Sequence, residues 1–341
     1  MKIMSFSWLL YFLMSLSLSS LQGHDFRILV LPSGGSTAIH EAMLIQHIEQ
    51  QTKKSVNELF DEIWCSSAGS IIAALLTAPE TAHNGAQGAI RFFEDNFSSY
   101  GKAYYISSAL CKAINKKTVI KDTFEWLAYD FSTDGAGSCP NNKIPLADIV
   151  QASCTVYPYL YRNPVTFAID NSNYQHCIDP GSLCCTQPMV DPTGYFLKQF
   201  LPRLKPNDTV TIYFLGNAFA QSVDYEDIVE VLTNSAHASW RIHYDEKNYS
   251  YEQDNVQIKV INVPMAVNPE AIVARYFNTT NWREKIKGSI LTRIFEKVVG
   301  KYNAAPNMLA AGIVPLHILQ QESKTIINNS SNFQELLKSL N

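Results

Sequence analysis

The stretch FDEIWCSSAGSIIAALL, residues 60–76, decides the fold because an apolar strand runs directly into a helix. Residues 60–65 have the short apolar pattern of a buried strand, and residues 66–76 continue as an apolar helix. The same order occurs upstream, where FRILVLP at 26–32 predicts a buried strand, SGGS breaks it, and residues 38–51 carry apolar side chains at helical spacing. Two successive strand–turn–helix units favour parallel strands joined by crossover helices, and therefore an α/β protein.

The remainder of the chain extends this pattern into one α/β domain over residues 24–341, clearest over 26–215. Residues 80–130 are expected to be mostly helical and to supply inserted helices that could cap a site. The clearest loop is TDGAGSCPNNK at 133–143. Further strands are expected at 209–215 and 257–263, and further helices at 145–153, 281–299 and 332–340.

Composition excludes two classes of protein. The 341 residues contain 27 Lys and Arg against 31 Asp and Glu, a net charge of −4, which offers no electrostatic case for a nucleic-acid partner. Apolar residues make up 46% of the chain and charged residues 17%, against a usual charged share of about 25%. This composition excludes a disordered chain and fits a globular core.

The N-terminal residues 1–23 predict a secretory signal peptide. Lys2 is their only charge, the apolar stretch FSWLLYFLMSLSL follows at 6–18, and the exit is polar. Cleavage is expected after Ser19, Ser20 or Gly23, which predicts a secreted or exported protein. An uncleaved membrane anchor is the alternative, because about 20 apolar residues can span a bilayer.

Seven cysteines follow residue 23, and in an exported protein disulfides become possible. An odd number leaves at least one thiol outside intramolecular pairs. The Cys177-x6-Cys184-Cys185 spacing lacks the CxxC of zinc sites, so no metal site is expected. Pairing is expected among five cysteines, in an arrangement that the sequence does not assign: Cys139, Cys154, Cys177, Cys184 and Cys185.

Three local features carry the candidate chemistry, and the first is Cys65-Ser66-Ser67-Ala68-Gly69. A sharp strand-to-helix turn between small residues is the setting of a nucleophile elbow, which exposes the central serine hydroxyl in a cleft. The common pattern is G-x-S-x-G, and here the first glycine is replaced by Cys65. The alternative is a turn with two capping serines.

The other two features are a glycine loop and an acid. The run PSGGS at 32–36 ends a strand and opens a helix, so its bare N–H groups can bind an oxyanion, although it is also compatible with an ordinary βα loop. Asp179 lies in Asp179-Pro180-Gly181 after a strand-like stretch, where a surface β-turn is the alternative.

The order and spacing of these features resemble the patatin-like phospholipase family over roughly residues 26–215. The run LVLPSGGSTAIHEAMLIQHIE resembles the family's first strand, oxyanion loop and helix, and IWCSSAGSIIAALL resembles its elbow. LADIVQASCTVYPYLY resembles the segment before the acid, and CIDPGSLCCTQP resembles the acid motif. This sequence departs from the family in lacking two loop glycines and the loop arginine, and in having Cys65 and Pro180 where glycines are usual.

The resemblance implies a three-layer α/β/α fold with a mostly parallel central sheet, and a Ser–Asp dyad without histidine. Ser67 would attack the acyl carbon of a lipid ester, Asp179 would act as base, and the N–H groups of Gly34 and Gly35 would hold the oxyanion. The implied substrate is a phospholipid or lysophospholipid at a membrane surface. The implied chemistry requires no cofactor or metal, and whether a protein activator takes part stays open.

Two alternatives remain open on the sequence. The first is a catalytically silent relative that binds lipid or protein, which the lost loop residues favour. The second is a Ser–His–Asp esterase, for which His237, His243 and His317 follow the acid in the required order.

Overall fold

A computed structural model describes residues 23–31, 38–65, 67–78, 81–97, 120–125, 129–132, 146–155, 163, 165–168, 174–177, 200–216, 248–253, 255–264 and 316–341. The strands are β1 (Asp25–Leu31), β2 (Glu62–Cys65), β3 (Ile120–Glu125), β4 (Tyr129–Ser132), β5 (Val165–Ala168), β6 (Tyr174–Cys177), β7 (Thr209–Gly216), β8 (Tyr249–Gln253) and β9 (Val256–Pro264). The α-helices are α1 (Ile39–Thr52), α2 (Val56–Leu59), α3 (Ala68–Thr77), α4 (Gly85–Phe97), α5 (Leu146–Ser153), α6 (Leu316–Asn329) and α7 (Ser331–Leu340). Short 3-10 helices occupy Ala82–Asn84 and Leu201–Arg203.

Seven strands form one sheet in the order β4-β3-β2-β1-β7-β9-β8. Within it, the neighbours from β3 through β9 run parallel, and only the outer strands β4 and β8 pair antiparallel. The strands β5 and β6 form a separate antiparallel pair. The predicted α/β class with a mostly parallel sheet is confirmed.

The central strands are buried on both faces because their side chains alternate between two apolar clusters. Leu29 and Leu31 of β1 lie in the cluster that contains the helices α1, α3 and α4, whereas Ile28 and Val30 lie in the opposite cluster. On β2, Cys65 faces the first cluster and Trp64 the second. A period of two with both faces covered explains why these strands read as continuous apolar runs, and it agrees with the predicted three-layer architecture.

The strand order places the carboxyl ends of β1 and β2 side by side. Leu31 and Cys65, the last residues of the two strands, are partners in the parallel register. The other neighbour of β1 is β7, so the chain leaves β1 towards β2 and later returns on its opposite side. Ligands of open α/β sheets bind beyond the carboxyl ends of strands at such a switch in strand order.

The prediction for residues 80–130 was right only in part. Helix α4 at Gly85–Phe97 agrees with it, but residues 120–125 form the strand β3. The backbone of β3 extends the sheet by parallel pairing, with Ile120 opposite Ile63 of β2. Pairing with a neighbouring strand therefore outweighs the local pattern, as is common for sheet residues.

Several sequence predictions fall where the structure gives no description. The loop at 133–143, the helix at 281–299 and nearly all of the proposed signal peptide at 1–23 lie outside the described residues. Within the described part of the chain, no helix combines the length and apolar character needed to cross a membrane.

Candidate active site

Ser67 lies at the turn between β2 and α3, in a backbone conformation that is unusual for any residue except glycine. Its φ is 49° and its ψ is −132°, and it is the N-cap residue of α3. A non-glycine residue in such a region costs of order 1–3 kcal/mol, and strained residues of this kind cluster at active sites. A serine at a sharp, strained strand-to-helix turn is the geometry of a nucleophile elbow.

Gly69 allows α3 to begin directly against the end of β1. A Cβ atom at Gly69 would lie 2.2 Å from the carbonyl oxygen of Leu31 and 3.0 Å from the Leu31 Cβ. Only a residue without a side chain fits there. The turn between β2 and α3 thus depends on this close approach between the first turn of the helix and the strand β1.

The peptide groups of Ser67 are held by polar side chains from two helices. Its N–H donates to the Ser153 hydroxyl at 2.8 Å, and Ser153 is fully buried at the end of α5. Its carbonyl oxygen accepts from the Ser70 N–H at 3.0 Å, from the Ser70 hydroxyl, and from the Cys154 thiol at 3.1 Å. The unusual backbone angles are therefore fixed by hydrogen bonds on both sides of the residue.

The first turn of α3 offers donors for a negative charge. Ala68 and Gly69 occupy its first two positions, where backbone N–H groups have no acceptor within the helix. The aligned peptide dipoles add a partial positive charge at the same end. An oxyanion formed at Ser67 would meet this end of α3.

The other predicted site residues are only partly placed. Gly34, Gly35 and Asp179 lie outside the described residues, so the structure does not test their distances to Ser67. Cys65 is fully buried and lies in the apolar cluster around α1 and α3. The strand before the acid ends at Cys177, which is buried in the same cluster.

Two of the histidines considered in the sequence analysis, His40 and His317, lie on described helices. His40 lies on α1, as the helix prediction for residues 38–51 implied, and its Nδ1 is hydrogen bonded to the Ser323 hydroxyl of α6. Burial lowers the pKa of His40 to about 4, so this imidazole is neutral at pH 7. His317 lies in the first turn of α6, and His237 and His243 lie outside the described residues.

Sequence reasoning assigned residues 145–153 to a helix but gave Ser153 no role. The available signal was its place in the segment that resembles the one before the family's acid. A hydrogen bond that joins residues 86 positions apart leaves no local pattern.

In the described part of the chain, no group of three or more His, Cys, Asp or Glu side chains is arranged to hold a metal ion.

Comparison with known proteins gives little beyond this geometry. No family model matches the chain, and no curated protein matches it. Among solved structures, VipD from Legionella pneumophila is similar over 92% of this chain and 90% of that chain, with 10% identical residues and a TM-score of 0.28. A similarity at this level carries no argument about activity, which has to come from the residues around Ser67.

Proposed function

We propose that this protein is a lipid acyl hydrolase of the patatin-like type, with Ser67 as the nucleophile. The observation that carries the proposal is the strained backbone of Ser67, at φ 49° between a central parallel strand and the helix α3. A fold that needs a serine only as a helix cap has no reason to hold it in this conformation, because ordinary N-caps adopt extended backbone angles. Nucleophile elbows require it.

The proposed reaction proceeds through an acyl-enzyme. The Ser67 Oγ forms a bond to the acyl carbon of the ester while its proton passes to the Asp179 carboxylate. Asp179 then returns a proton to the departing alcohol, and water hydrolyses the acyl–serine bond in a second step. The oxyanion is held by the N–H groups of Gly34 and Gly35, assisted by the first turn of α3, and each such donor contributes roughly 3–4 kcal/mol in other acyl-transfer enzymes.

The proposed substrate is a phospholipid or lysophospholipid at a membrane surface, met by the protein after export. Both the substrate class and the export rest on the sequence, namely on the family resemblance and on residues 1–23. The proposed chemistry uses no cofactor.

The decisive experiment follows free fatty acid by mass spectrometry after the purified protein is mixed with phospholipid vesicles. Wild type is expected to release fatty acid, and Ser67→Ala is expected to release none above background. The matched control is Ser331→Ala, which changes an exposed serine at the start of α7 and is expected to retain activity. A fluorophosphonate probe is expected to label wild type at Ser67 and to leave Ser67→Ala unlabelled.

Four further variants separate the proposed dyad from a histidine-dependent esterase. Asp179→Asn is expected to abolish release, whereas His237→Ala, His243→Ala and His317→Ala are each expected to leave it unchanged. Full release in Asp179→Asn would refute the dyad, and so would loss of both release and probe labelling in one of the three histidine variants. If wild type shows neither release nor probe labelling, whether or not a cell extract is added as a source of an activator, the hydrolase is refuted and a silent lipid-binding protein remains.

A further inference from the structure

The end of helix α5 meets the backbone of Ser67, although the two lie 86 positions apart in the chain. The helix packs against α3 and ends at Ser153, whose hydroxyl accepts the Ser67 N–H at 2.8 Å. The next residue, Cys154, directs its thiol to the Ser67 carbonyl oxygen at 3.1 Å. Ser153, the last residue of α5, and Cys154, which follows it, therefore hold the two peptide groups that flank the Ser67 side chain.

We infer that Ser153 is a positioning residue, which holds Ser67 in its reactive orientation through the Ser67 N–H. This inference rests on the proposed function, because it assigns a role in the reaction of the same serine. The physical basis is the buried location of the bond, since Ser153 is 0% and Ser67 8% exposed. A buried N–H without an acceptor is costly, so the bond favours the one peptide orientation in which the acceptor is reached.

The position of the Ser67 side chain depends on this peptide orientation. The N–H to Ser153 bond fixes the plane of the peptide that precedes Ser67, and this plane together with the φ of 49° sets the direction of the Cα–Cβ bond, about which the hydroxyl rotates. Without the acceptor, the strained backbone can relax towards negative φ, which turns the hydroxyl away. A displacement of about 1 Å at a reacting group can lower the rate roughly 100-fold.

A second consequence concerns the oxyanion. Because its N–H is used by Ser153, the nucleophile's own amide does not serve as an oxyanion donor. The N–H groups that bind the oxyanion must then belong to other residues. The bond to Ser153 keeps the Ser67 N–H from binding the oxyanion in their place.

The test compares Ser153→Ala with Ser153→Thr, which keeps a hydroxyl at the same position. We expect Ser153→Ala to lower kcat for fatty-acid release, and the rate of fluorophosphonate labelling at Ser67, by roughly 10- to 100-fold with little change in KM. Ser153→Thr is expected to restore labelling to within a few-fold of wild type. Thr77→Ala is the matched control, since it removes a buried hydroxyl about 15 Å away at the other end of α3.

Amide hydrogen exchange keeps the test decisive if the threonine side chain does not fit. The amide of Ser67 is expected to exchange at least about tenfold faster in Ser153→Ala than in wild type. Unchanged exchange, unchanged labelling in Ser153→Ala, or an equal loss of labelling in Thr77→Ala would each overturn the positioning role. If wild type is neither labelled nor active, the proposed function fails and this role fails with it, whereas a reactive wild type with an equally reactive Ser153→Ala refutes the positioning role alone.

Discussion

Replacing Ser67 by glycine is expected to make the protein more stable than replacing it by alanine. Alanine keeps a Cβ atom and therefore keeps the strain of φ 49° and ψ −132°, whereas glycine adopts this region freely. Both variants lack the hydroxyl, so the comparison isolates the backbone. Glycine removes the backbone strain at this turn, and the free energy of unfolding of Ser67→Gly should therefore be higher than that of Ser67→Ala.

The size of the effect can be worked from the geometry. The strain lies towards the upper part of the usual range, about 2–3 kcal/mol, because these angles are far from the left-handed helical region that other residues tolerate. Two effects of glycine lower the stability. The greater freedom of the unfolded chain costs about 0.4–1 kcal/mol, and the loss of the Cβ of a nearly buried side chain costs up to about 0.8 kcal/mol. The expected net gain is about 1 kcal/mol, or roughly 2 °C in Tm for a chain of this size.

The assay is urea unfolding of Ser67→Gly and Ser67→Ala, followed by circular dichroism, with two reference pairs. Lys53, at the end of α1, has ordinary left-handed angles, φ 59° and ψ 24°. The free energy of unfolding of Lys53→Gly should therefore exceed that of Lys53→Ala by less than the difference between Ser67→Gly and Ser67→Ala. Ala73 lies inside α3, where Ala73→Gly should lose about 1 kcal/mol or more. If Ser67→Gly were no more stable than Ser67→Ala, the strained elbow, and with it the main support for the proposed function, would be wrong.

Two further predictions concern packing and pH. Gly69→Ala is expected to destabilise the protein by about 1–3 kcal/mol and to reduce fluorophosphonate labelling of Ser67 strongly, because the new methyl would need more than 1 Å of movement to clear the Leu31 carbonyl oxygen 2.2 Å away; unchanged stability and labelling would contradict the close approach. The pKa of His40 falls from 6.5 to about 4 on burial, so the stability that its neutral form provides is complete above pH 6.5 and is lost as the pH falls towards 4, a loss on the order of 3 kcal/mol. His40→Asn, which can still donate to Ser323, should therefore lose less stability between pH 7.5 and 4.5 than wild type in urea unfolding, and equal losses would place His40 outside the core.

The central strands could be predicted from the sequence because burial on both faces leaves continuous apolar runs. The predicted strands at 26–32, 209–215 and 257–263 correspond to Asp25–Leu31, Thr209–Gly216 and Val256–Pro264. The strand at Ile120–Glu125 could not be predicted in this way, since it depends on an edge offered by β2 rather than on its own pattern. Helix α6 at Leu316–Asn329 was not predicted either.

For the candidate site, the sequence predicted a tight strand-to-helix turn at Ser67 but not the contacts that hold its backbone. Small residues after an apolar strand indicate a tight turn at Ser67, because bulky neighbours would not fit. The positive φ of Ser67 and the hydrogen bond from its N–H to Ser153 are tertiary properties, which depend on where α5 packs. The predicted roles of Gly34, Gly35 and Asp179 stay predictions.

The position of β1 in the sheet also sets the order of events during synthesis. Its second neighbour, β7, begins with Thr209, which pairs with Asp25 and bonds to it across 184 positions of sequence. At a translation rate of roughly 5–20 residues per second, about 10–40 s pass between the synthesis of β1 and that of β7. During this time one edge of β1 has no partner strand. A nascent chain that stops before residue 209 would expose an unpaired apolar strand edge, which is a surface that chaperones bind and that promotes aggregation.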